Sequence, residues 1–330
     1  MREPGIDREP ISYPVYIKPV PSEEILRKYL SVITVTGSLL AFPTYRGRFA
    51  PSPTGPLHFG SLVAAVGSYL EAKSRNGEWL VRIENLDPSR ETPGASKEIL
   101  STLEVLGMEW DGEVVYQNQR NDAYQAALTL LEKRNLIYPC ACSRKEIADS
   151  SIMGRDSPFY PGTCRDSLPG AERSQALRVR TGNNLIEIKD ALRGLIRQRL
   201  ERDIGDFVLR RADGIFAYQL AVVVDDAEQG VTHVVRGEDL LDSTPRQVHL
   251  QQLLGYPTPT YMHLPVVVNA LGEKLSKQTH AAPIITADPV SQLIMAVRFL
   301  GQIPPTELTE SGVASFWKWA IRNWRSEKIP

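Results

Sequence analysis

Residues 48–61 read RFAPSPTGPLHFGS and join a predicted strand to a predicted helix. The strand ends over Gly47–Ala50, and a loop rich in proline and glycine follows over Pro51–Gly60. Apolar residues then recur at helical spacing from Leu62 to Lys73. Because the helix begins directly after this loop, its unpaired N–H groups offer a place where an anion can bind.

The alternation of strands and helices continues along the chain. Strands are predicted at 79–84 and 114–117, helices at 93–106 and 122–133, and further runs of the pattern at 206–211, 218–226, 231–236 and in a helix over 244–254. This order is typical of an α/β fold with a parallel sheet. Between the two sets lie a loop-rich segment, 138–170, and strand-like runs at 176–180 and 185–189. We therefore interpret this region as an insertion that splits the fold.

The composition is that of an ordinary globular protein. Of the 330 residues, 42% are hydrophobic and 23% are charged, and no apolar run is long enough to span a bilayer. We therefore expect no membrane contact. Three cysteines form a poor disulfide framework, because an odd count leaves one thiol over, and this favours a reducing cytoplasm.

The charge is unevenly distributed, although the net charge is only -1. Between Arg173 and Arg211 there are ten Lys or Arg residues and five Asp or Glu residues. This segment is either a basic face that steers a nucleic acid or an ordinary solvated surface.

The usual phosphate-binding patterns GxxxxGK[ST] and GxGxxG do not occur in the sequence. The helix start near Ser61 is the alternative, with His58 as an added donor to a phosphate oxygen. A second candidate lies far downstream at 273–278, EKLSKQ. There Lys274 and Lys277 would offset the charge that develops on departing pyrophosphate. Taken alone, this run is equally typical of an exposed charged loop.

Together the two runs resemble the "HIGH" and "KMSKS" signatures of class I aminoacyl-tRNA synthetases. The longer matches resemble the glutamyl branch of that class, and they are RFAPSPTG at 48–55, RIENLD at 82–87, AVVVDD at 221–226 and VRGEDL at 235–240. Within the branch the chain is most similar, over about 45–300, to the glutamyl-Q tRNA(Asp) synthetase family. Three features select this family: HFGS at 58–61 with FAYQL at 216–220, the cysteine cluster, and the 53 residues after Lys277, too few for an anticodon-binding domain. Leu275 and Gln278 depart from the "KMSKS" form.

The resemblance implies a Rossmann-like α/β catalytic domain with a parallel sheet split by an insertion, a short helical C-terminal region and no anticodon-binding domain. The expected parts are a loosely ordered extension at 1–44, the first half of the catalytic domain at 45–137, an insertion with a zinc-binding segment and an acceptor-type subdomain at 138–205, the second half at 206–286, and C-terminal helices at 287–330. Those helices are predicted over 290–300 and 309–324. An apolar stripe on the second helix predicts core packing.

Glutamate carries two carboxylates and one ammonium, so a buried site must supply cations and an anion at fixed spacing. The resemblance assigns Arg48 and Arg236 to the carboxylate end, Glu84 to the ammonium and Tyr218 to a hydrogen bond. The full predicted glutamate site is Arg48, Phe49, Ala50, Pro51, Ser52, Glu84, Tyr218 and Arg236. The predicted catalytic residues are His58, Ser61, Lys274 and Lys277, and the predicted ATP-binding residues are His58, Gly60 and Lys277. The alternative for Glu84 is a partner of Arg82 or of a strand-end loop.

A metal site is predicted at Cys140, Cys142 and Cys164. A closed zinc site takes four ligands, and no histidine lies between residues 134 and 170. The fourth ligand is then an oxygen, with Asp156, Tyr160 and Asp166 within reach, and the family pattern selects Tyr160. We expect one structural Zn²⁺, with Mg²⁺ accompanying ATP. The alternative is three buried free thiols.

The resemblance implies activation of L-glutamate by ATP without tRNA, and transfer of the glutamyl group to queuosine at the anticodon wobble position of tRNA(Asp). We expect a cytoplasmic monomer. One alternative is a truncated glutamyl-tRNA synthetase that charges a tRNA 3′ end, and another is a non-catalytic tRNA-binding paralogue.

Overall fold

The computed structural model describes residues 45–150, 152–153, 158–167, 174–269, 275 and 282–330. Its strands are β1 Arg46–Phe49, β2 Glu78–Ile83, β3 Val115–Tyr116, β4 Ile137–Cys140, β5 Ile152–Met153, β6 Pro158–Phe159, β7 Ala176–Val179, β8 Leu185–Asp190, β9 Gly194–Arg199, β10 Val208–Arg210, β11 His233–Gly237 and β12 Thr260–Leu264. Its α-helices are α1 Phe59–Lys73, α2 Ala95–Val105, α3 Asn121–Lys133, α4 Arg144–Ser150, α5 Leu200–Asp203, α6 Tyr218–Glu228, α7 Thr244–Leu254, α8 Pro289–Phe299 and α9 Val313–Asn323. The predicted extension at 1–44 lies outside the described residues.

The catalytic fold is built from two groups of parallel strands. In the first half of the chain β1 pairs with β2, and β2 pairs with β3. In the second half β11 pairs with β12, also in parallel. The two groups meet where β1 begins, because the Thr232 N–H donates to the Arg46 carbonyl at 2.9 Å. The prediction of an α/β fold with a parallel sheet interrupted by other elements is confirmed.

The interrupting residues form two small antiparallel units. β8 and β9 make a hairpin, and β8 also lies parallel to β12 through the pair Asp190 and Tyr261. β4, β7 and β10 form a separate three-stranded sheet, in the order β10-β7-β4. The hairpin therefore extends the catalytic sheet, while the second unit carries Cys140 at the end of β4.

The largest apolar core surrounds helix α1. It contains the fully buried Trp79 of β2, whose indole N–H donates to the Ser68 hydroxyl at 2.9 Å. The C-terminal segment closes this core, because the indole of Trp324 donates to Glu71 Oε1 of α1 at 2.6 Å. Burial raises the pKa of Glu71, while its bond to Trp324 opposes the rise. The apolar stripe of α9 is buried core, as predicted.

Several predicted boundaries move for identifiable reasons. Helix α2 begins at Ala95 rather than Pro93, because Gly94 has the left-handed φ of 81°. The last helix begins at Val313 rather than Thr309, since a separate 3₁₀ turn, Thr306–Glu310, comes first. The loop-rich segment 138–170 also contains the short helix α4. None of these shifts moves a predicted site residue.

Gly301 lies where the end of α8 meets the C-terminal segment, and it offers a test of that closure. Its φ is 74°, and a Cβ there would lie 1.9 Å from the Lys328 carbonyl oxygen. We expect Gly301→Ala to lower the free energy of unfolding by the left-handed penalty of about 1–2 kcal/mol plus about 1–3 kcal/mol for the clash. Urea denaturation measures the total loss of unfolding free energy.

Gly255→Ala is the matched control. Gly255 has the same φ of 74°, but a Cβ there meets no heavy atom within 4 Å. Its substitution should cost the backbone penalty alone. Equal losses for the two variants would contradict the close packing of the C-terminal segment on Gly301.

Candidate active site

The carboxylate of Asp226 accepts hydrogen bonds from two buried arginines on the neighbouring strands β1 and β2. Arg48 of β1 donates from Nε to Oδ1 at 3.1 Å and from Nη2 to Oδ2 at 3.4 Å. Arg82 of β2 donates from Nη2 to Oδ1 at 2.8 Å. Burial would raise the pKa of Asp226, but the charges of Arg48 and Arg82 outweigh it and lower that pKa. Asp226 is therefore ionised and fixes both guanidinium groups.

Glu84 follows β2 and lies beside the same cluster. Its side chain is 9% exposed, and its Oε1 lies 3.6 Å from Arg82 Nη2, too far for a hydrogen bond. Within the described part of the chain, this buried Oε1 has no hydrogen-bond partner. Burial raises the pKa of Glu84 to about 7, against the lowering effect of Arg82 and Arg48. Such a carboxylate gains most from a cation placed next to it.

Arg236 of β11 is held by a ring of neutral acceptors. Its Nε donates to His263 Nε2 at 3.1 Å, and its Nη2 donates to Thr244 Oγ1 at 2.8 Å and to the Leu240 carbonyl at 3.4 Å. Its Nη1 donates to the Tyr218 hydroxyl at 3.4 Å. Since a guanidinium has five N–H groups, these four bonds leave at least one for another acceptor.

Arg48, Glu84, Tyr218 and Arg236 lie close enough to interact electrostatically. Burial raises the pKa of Tyr218. The charge of Glu84 raises this pKa further, whereas the charges of Arg236 and Arg48 lower it. A pocket of about 260 Å³ is lined in part by Ser52, Glu84 and Tyr218. Glu84 and Tyr218 thus line the pocket, and the guanidiniums of Arg48 and Arg236 lie within electrostatic range of the Tyr218 phenol. The role of all four residues in glutamate binding stays a prediction.

The remaining members of the predicted glutamate site contribute in other ways. The ring of Phe49 is buried and stacks on Trp79 with centroids 6.2 Å apart, so its side chain belongs to the core. The Pro51 carbonyl accepts the Glu84 N–H at 3.0 Å. Ala50, which lies between Phe49 and Pro51 in the chain, is half-buried. Only Ser52 of this run is exposed, and it lies at the pocket.

His58 is the N-cap of helix α1. Its Nδ1 accepts the Ser61 N–H at 3.3 Å, so the proton of the neutral ring is on Nε2. Capping therefore uses the Ser61 N–H that we expected to face phosphate, and it makes Nε2 of His58 a hydrogen-bond donor. The ring also packs against Gly60, where a Cβ would lie 3.2 Å from its Nδ1.

The second predicted phosphate-binding run is described at one residue, Leu275. Its N–H donates to the Val267 carbonyl at 2.8 Å. Its carbonyl oxygen lies 3.6 Å from the place of a Cβ on Gly60. The two distant runs therefore meet at Gly60 and Leu275. Lys274 and Lys277 lie outside the described residues.

The three cysteines form a cluster with Tyr160. Their sulfurs lie within 4.8 Å of one another, and Cys142 Sγ lies 3.4 Å from Cys164 Sγ. The Tyr160 hydroxyl lies 3.5 Å from Cys140 Sγ and 3.8 Å from Cys142 Sγ, and it accepts the Cys164 N–H at 2.7 Å. Arg178 lies 4.0 Å above the Tyr160 ring.

These distances suit a tetrahedral metal ion. With Zn–S of about 2.3 Å and Zn–O of about 2.1 Å, neighbouring ligand atoms of a tetrahedron lie about 3.6–3.8 Å apart. Three of the separations, at 3.4–3.8 Å, fall close to that range, and all three sulfurs lie within 4.8 Å of one another. The cluster can therefore bind a metal. Of the other candidate oxygens, Asp166 pairs with Arg180 at 3.3 Å, and Asp156 lies outside the described residues.

Sequence reasoning missed three residues that shape the site. Asp226 belongs to the run AVVVDD at 221–226, and an acidic pair that ends an apolar run is itself a sign of buried ion pairing. His263 and Asp190 are not among the predicted site residues. His263 interrupts the apolar run at 261–264, which is a weak signal, whereas Asp190 ends the alternating strand LIEIKD and is not distinguished by it.

The family assignment follows from comparison with known proteins. Residues 44–293 match the family described as tRNA synthetases class I (E and Q), catalytic domain. A glutamyl-Q tRNA(Asp) synthetase of Dechloromonas aromatica is 56% identical over 288 residues, which cover 87% of this chain and 96% of the relative. The protein of the same name from Chromobacterium violaceum is 56% identical over 286 residues, covering 87% of this chain and 95% of that relative. The chain belongs to the glutamyl-Q tRNA(Asp) synthetase family.

Solved structures agree with membership of this family. The crystal structure of a glutamate tRNA ligase from Elizabethkingia meningosepticum, in complex with its amino acid, superposes with a TM-score of 0.72 at 26% identity. The match covers 86% of this chain and 65% of the ligase chain. The present member of the glutamyl-Q tRNA(Asp) synthetase family thus spans just under two thirds of the length of that ligase.

None of the helices among the described residues combines the length and apolarity needed to cross a bilayer.

Glu84→Gln tests the electrostatics of the cluster without any ligand. Because the folded-state pKa of Glu84 is about 7 and its usual value is 4.5, wild-type stability should fall as pH rises from 4.5 to 7. The neutral glutamine avoids this loss. We expect the variant to gain about 1–3 kcal/mol on the wild type between pH 4.5 and pH 8 in urea denaturation. A difference that does not change with pH would contradict the burial of an under-paired carboxylate.

Proposed function

We propose that this protein activates L-glutamate with ATP to form glutamyl-adenylate and pyrophosphate, without tRNA, and then transfers the glutamyl group to queuosine in tRNA(Asp). The observation that supports this most strongly is Glu84, a buried carboxylate at the pocket whose Oε1 accepts no hydrogen bond from the described residues and whose neighbouring cations are Arg82 and Arg48. An ammonium group and carboxylates are the charges that such a pocket accepts.

The substrate fits this arrangement by charge. The α-ammonium of glutamate would pair with Glu84, replacing the proton that burial favours there. Arg48 and Arg236 would receive carboxylate oxygens through the N–H groups that Asp226 and His263 do not use. Tyr218 would add a hydrogen bond. A ligand missing one of these charges leaves a buried partner uncompensated, which costs far more than a lost surface contact.

ATP would lie next to the glutamate, over the start of α1. An oxygen of the glutamate α-carboxylate attacks the α-phosphorus, and the bond to the departing pyrophosphate breaks. His58 would donate from Nε2 to a phosphate oxygen, while Gly60 permits close approach of the nucleotide. Lys274 and Lys277, which belong to the same sequence run as Leu275, would offset the charge on pyrophosphate. Mg²⁺ would arrive with ATP as part of the substrate.

In the second step a hydroxyl of queuosine attacks the glutamyl carbonyl, an ester forms and AMP leaves. The relatives are named as synthetases for tRNA(Asp), and we propose the same tRNA as the substrate of this protein. The basic segment 173–211 would attract the anticodon arm through its phosphates. We place the reaction in the cytoplasm and expect the protein to act as a monomer.

A Zn²⁺ ion would be held by Cys140, Cys142, Cys164 and Tyr160. When bound, it would cross-link the end of β4 to the loop at Tyr160 and so order the insertion. No reaction step is assigned to it.

The first experiment is glutamate-dependent exchange of labelled pyrophosphate into ATP, measured without tRNA from pH 6 to pH 8.5. Since the ammonium binds the ionised form of Glu84, we expect the KM for glutamate to rise as pH falls below about 7, up to about tenfold per pH unit, while the KM for ATP changes little. Glu84→Gln should raise the KM for glutamate and abolish this pH dependence. No exchange at any pH would contradict the activation step.

A second experiment locates the product ester. Queuosine-containing tRNA(Asp) is charged with labelled glutamate and then cleaved by a nuclease that separates the anticodon from the 3′ end. Label in the anticodon fragment supports the proposal. Label at the 3′ end indicates a conventional glutamyl-tRNA synthetase, and adenylate formation without transfer to either place contradicts the tRNA step.

The metal site makes a separate prediction. Protein purified without chelator should contain one zinc per chain by elemental analysis, and Tyr160→Phe should release it to a chromogenic chelator at least about tenfold faster, because one of four ligands is lost. Tyr116→Phe is the control, because Tyr116 lies in strand β3 and packs against the core around α1 rather than against the cluster, and it should release zinc as the wild type does. Absence of zinc from the wild type, or identical release by both variants, would contradict the four-ligand site.

A further inference from the structure

A buried chain of hydrogen bonds leads from the inserted hairpin to Arg236. Asp190 ends strand β8, and its Oδ2 lies 2.6 Å from His263 Nδ1. On the other side of the ring, His263 Nε2 accepts the Nε–H of Arg236 at 3.1 Å. Asp190 is 2% exposed and His263 is 0% exposed, so water does not compete for these bonds.

Strand register explains why Arg236 and His263 meet. β11 and β12 are parallel neighbours, and Arg236 is the register partner of His263. Paired residues on adjacent strands project from the same face, with their side chains a few ångströms apart. Asp190 is placed next to this pair because β8 joins β12 at Tyr261.

The two ring nitrogens of His263 need opposite hydrogen-bonding roles. Nε2 must accept, because the Nε of Arg236 is always a donor. Nδ1 must then carry the proton and donate to Asp190. Burial lowers the pKa of His263 and Arg236 lowers it further, whereas Asp190 opposes the change, so the ring is the neutral Nδ1–H tautomer.

Asp190 is itself held in one orientation. Its Oδ1 accepts the backbone N–H groups of Leu192 at 3.0 Å, Arg193 at 2.9 Å and His263 at 3.3 Å. Only Oδ2 is left for the imidazole. The turn of the hairpin therefore fixes the carboxylate, the carboxylate fixes the tautomer, and the tautomer determines whether Arg236 has an acceptor at Nε.

We propose that Asp190 and His263 are positioning residues for glutamate binding, which hold the guanidinium of Arg236 with its remaining N–H facing the substrate carboxylate. This inference rests on the proposed function. It assigns to the inserted hairpin a role in amino-acid affinity, in addition to any role of the insertion in binding tRNA. Neither residue touches the substrate, so both act through Arg236.

Two substitutions at His263 separate positioning from a structural role. The amide nitrogen of asparagine takes the place of Nδ1, so His263→Asn keeps a donor for Asp190 and removes the acceptor for Arg236. The side chain of glutamine reaches the place of Nε2, so His263→Gln restores the acceptor. We expect His263→Asn to raise the KM for glutamate in pyrophosphate exchange about tenfold or more, with the KM for ATP within about twofold, because a buried donor loses its partner. His263→Gln should return the KM for glutamate to within about threefold of the wild type.

Asp190→Asn tests the tautomer itself. Three backbone N–H groups require the amide oxygen at the Oδ1 position, so the amide NH₂ must face His263 Nδ1. The ring proton then moves to Nε2 and opposes the Nε–H of Arg236, as an equivalent substitution does in serine proteases. We expect the same rise in the KM for glutamate as in His263→Asn. Nitrogen-15 NMR of the imidazoles should show His263 change from the Nδ1–H to the Nε2–H form, and the chain has only five histidines to assign.

His249→Asn is the control for replacing a part-buried histidine. Its ring lies on α7 and contacts the Arg180 carbonyl at 3.2 Å, in a different part of the molecule. It should leave the KM for glutamate unchanged. All variants are compared with the wild type by thermal unfolding in the same buffer.

The outcomes are distinct. A selective rise in the KM for glutamate in His263→Asn and Asp190→Asn, with rescue by His263→Gln, supports the inference. It is overturned if folded His263→Asn and Asp190→Asn keep the wild-type KM for glutamate, or if glutamine and asparagine raise the KM values for glutamate and ATP alike. A wild-type protein without glutamate-dependent exchange refutes the proposed function itself, and this is seen before any variant is made.

Discussion

The carboxylate of Asp226 neutralises two buried arginines that come from neighbouring strands of the first half of the catalytic domain. Asp226 itself lies on helix α6, in the second half, more than a hundred residues further along the chain. A guanidinium buried without a partner would cost several kcal/mol, so neither Arg48 nor Arg82 can occupy its place before α6 has docked. Formation of the site is thereby coupled to assembly of the split domain.

The balance of charges leaves one group under-compensated. Asp226 accepts hydrogen bonds from both arginines, and Arg82 is too far from Glu84 to donate one to it. The result is a carboxylate whose ionised form is disfavoured in the free protein and would be favoured by an incoming ammonium. Binding energy of this kind is specific, because a ligand without a cation at that place gains nothing from Glu84. The arrangement illustrates how a binding site can be less stable than an optimised core and still be the part that recognises the substrate.

Much of the site could be predicted from sequence because its residues belong to contiguous runs at the ends of strands. Arg48, Glu84 and Arg236 follow or end parallel strands, and the carboxyl ends of such strands meet at one edge of a sheet. The loop that contains His58 was likewise readable from its proline and glycine content, and the helix after it from its apolar spacing. What could not be read was the tertiary pairing: that Phe49 turns into the core, that the Ser61 N–H is used by His58, and that the inserted hairpin reaches β12. Those contacts depend on strand order and on residues distant in sequence, such as Asp190 and His263, for which local patterns carry little signal.

The central claim is that Arg48, Glu84, Tyr218 and Arg236 surround one glutamate at the edge of the catalytic sheet. A crystal structure of the protein with a non-hydrolysable glutamyl-adenylate analogue tests it most directly. The account predicts the ammonium of the analogue at about 3 Å from Glu84 Oε1, with a carboxylate oxygen at hydrogen-bond distance from the Nη1 of Arg236. An analogue bound with its amino group away from Glu84, or with Arg236 turned away from it, would contradict the account.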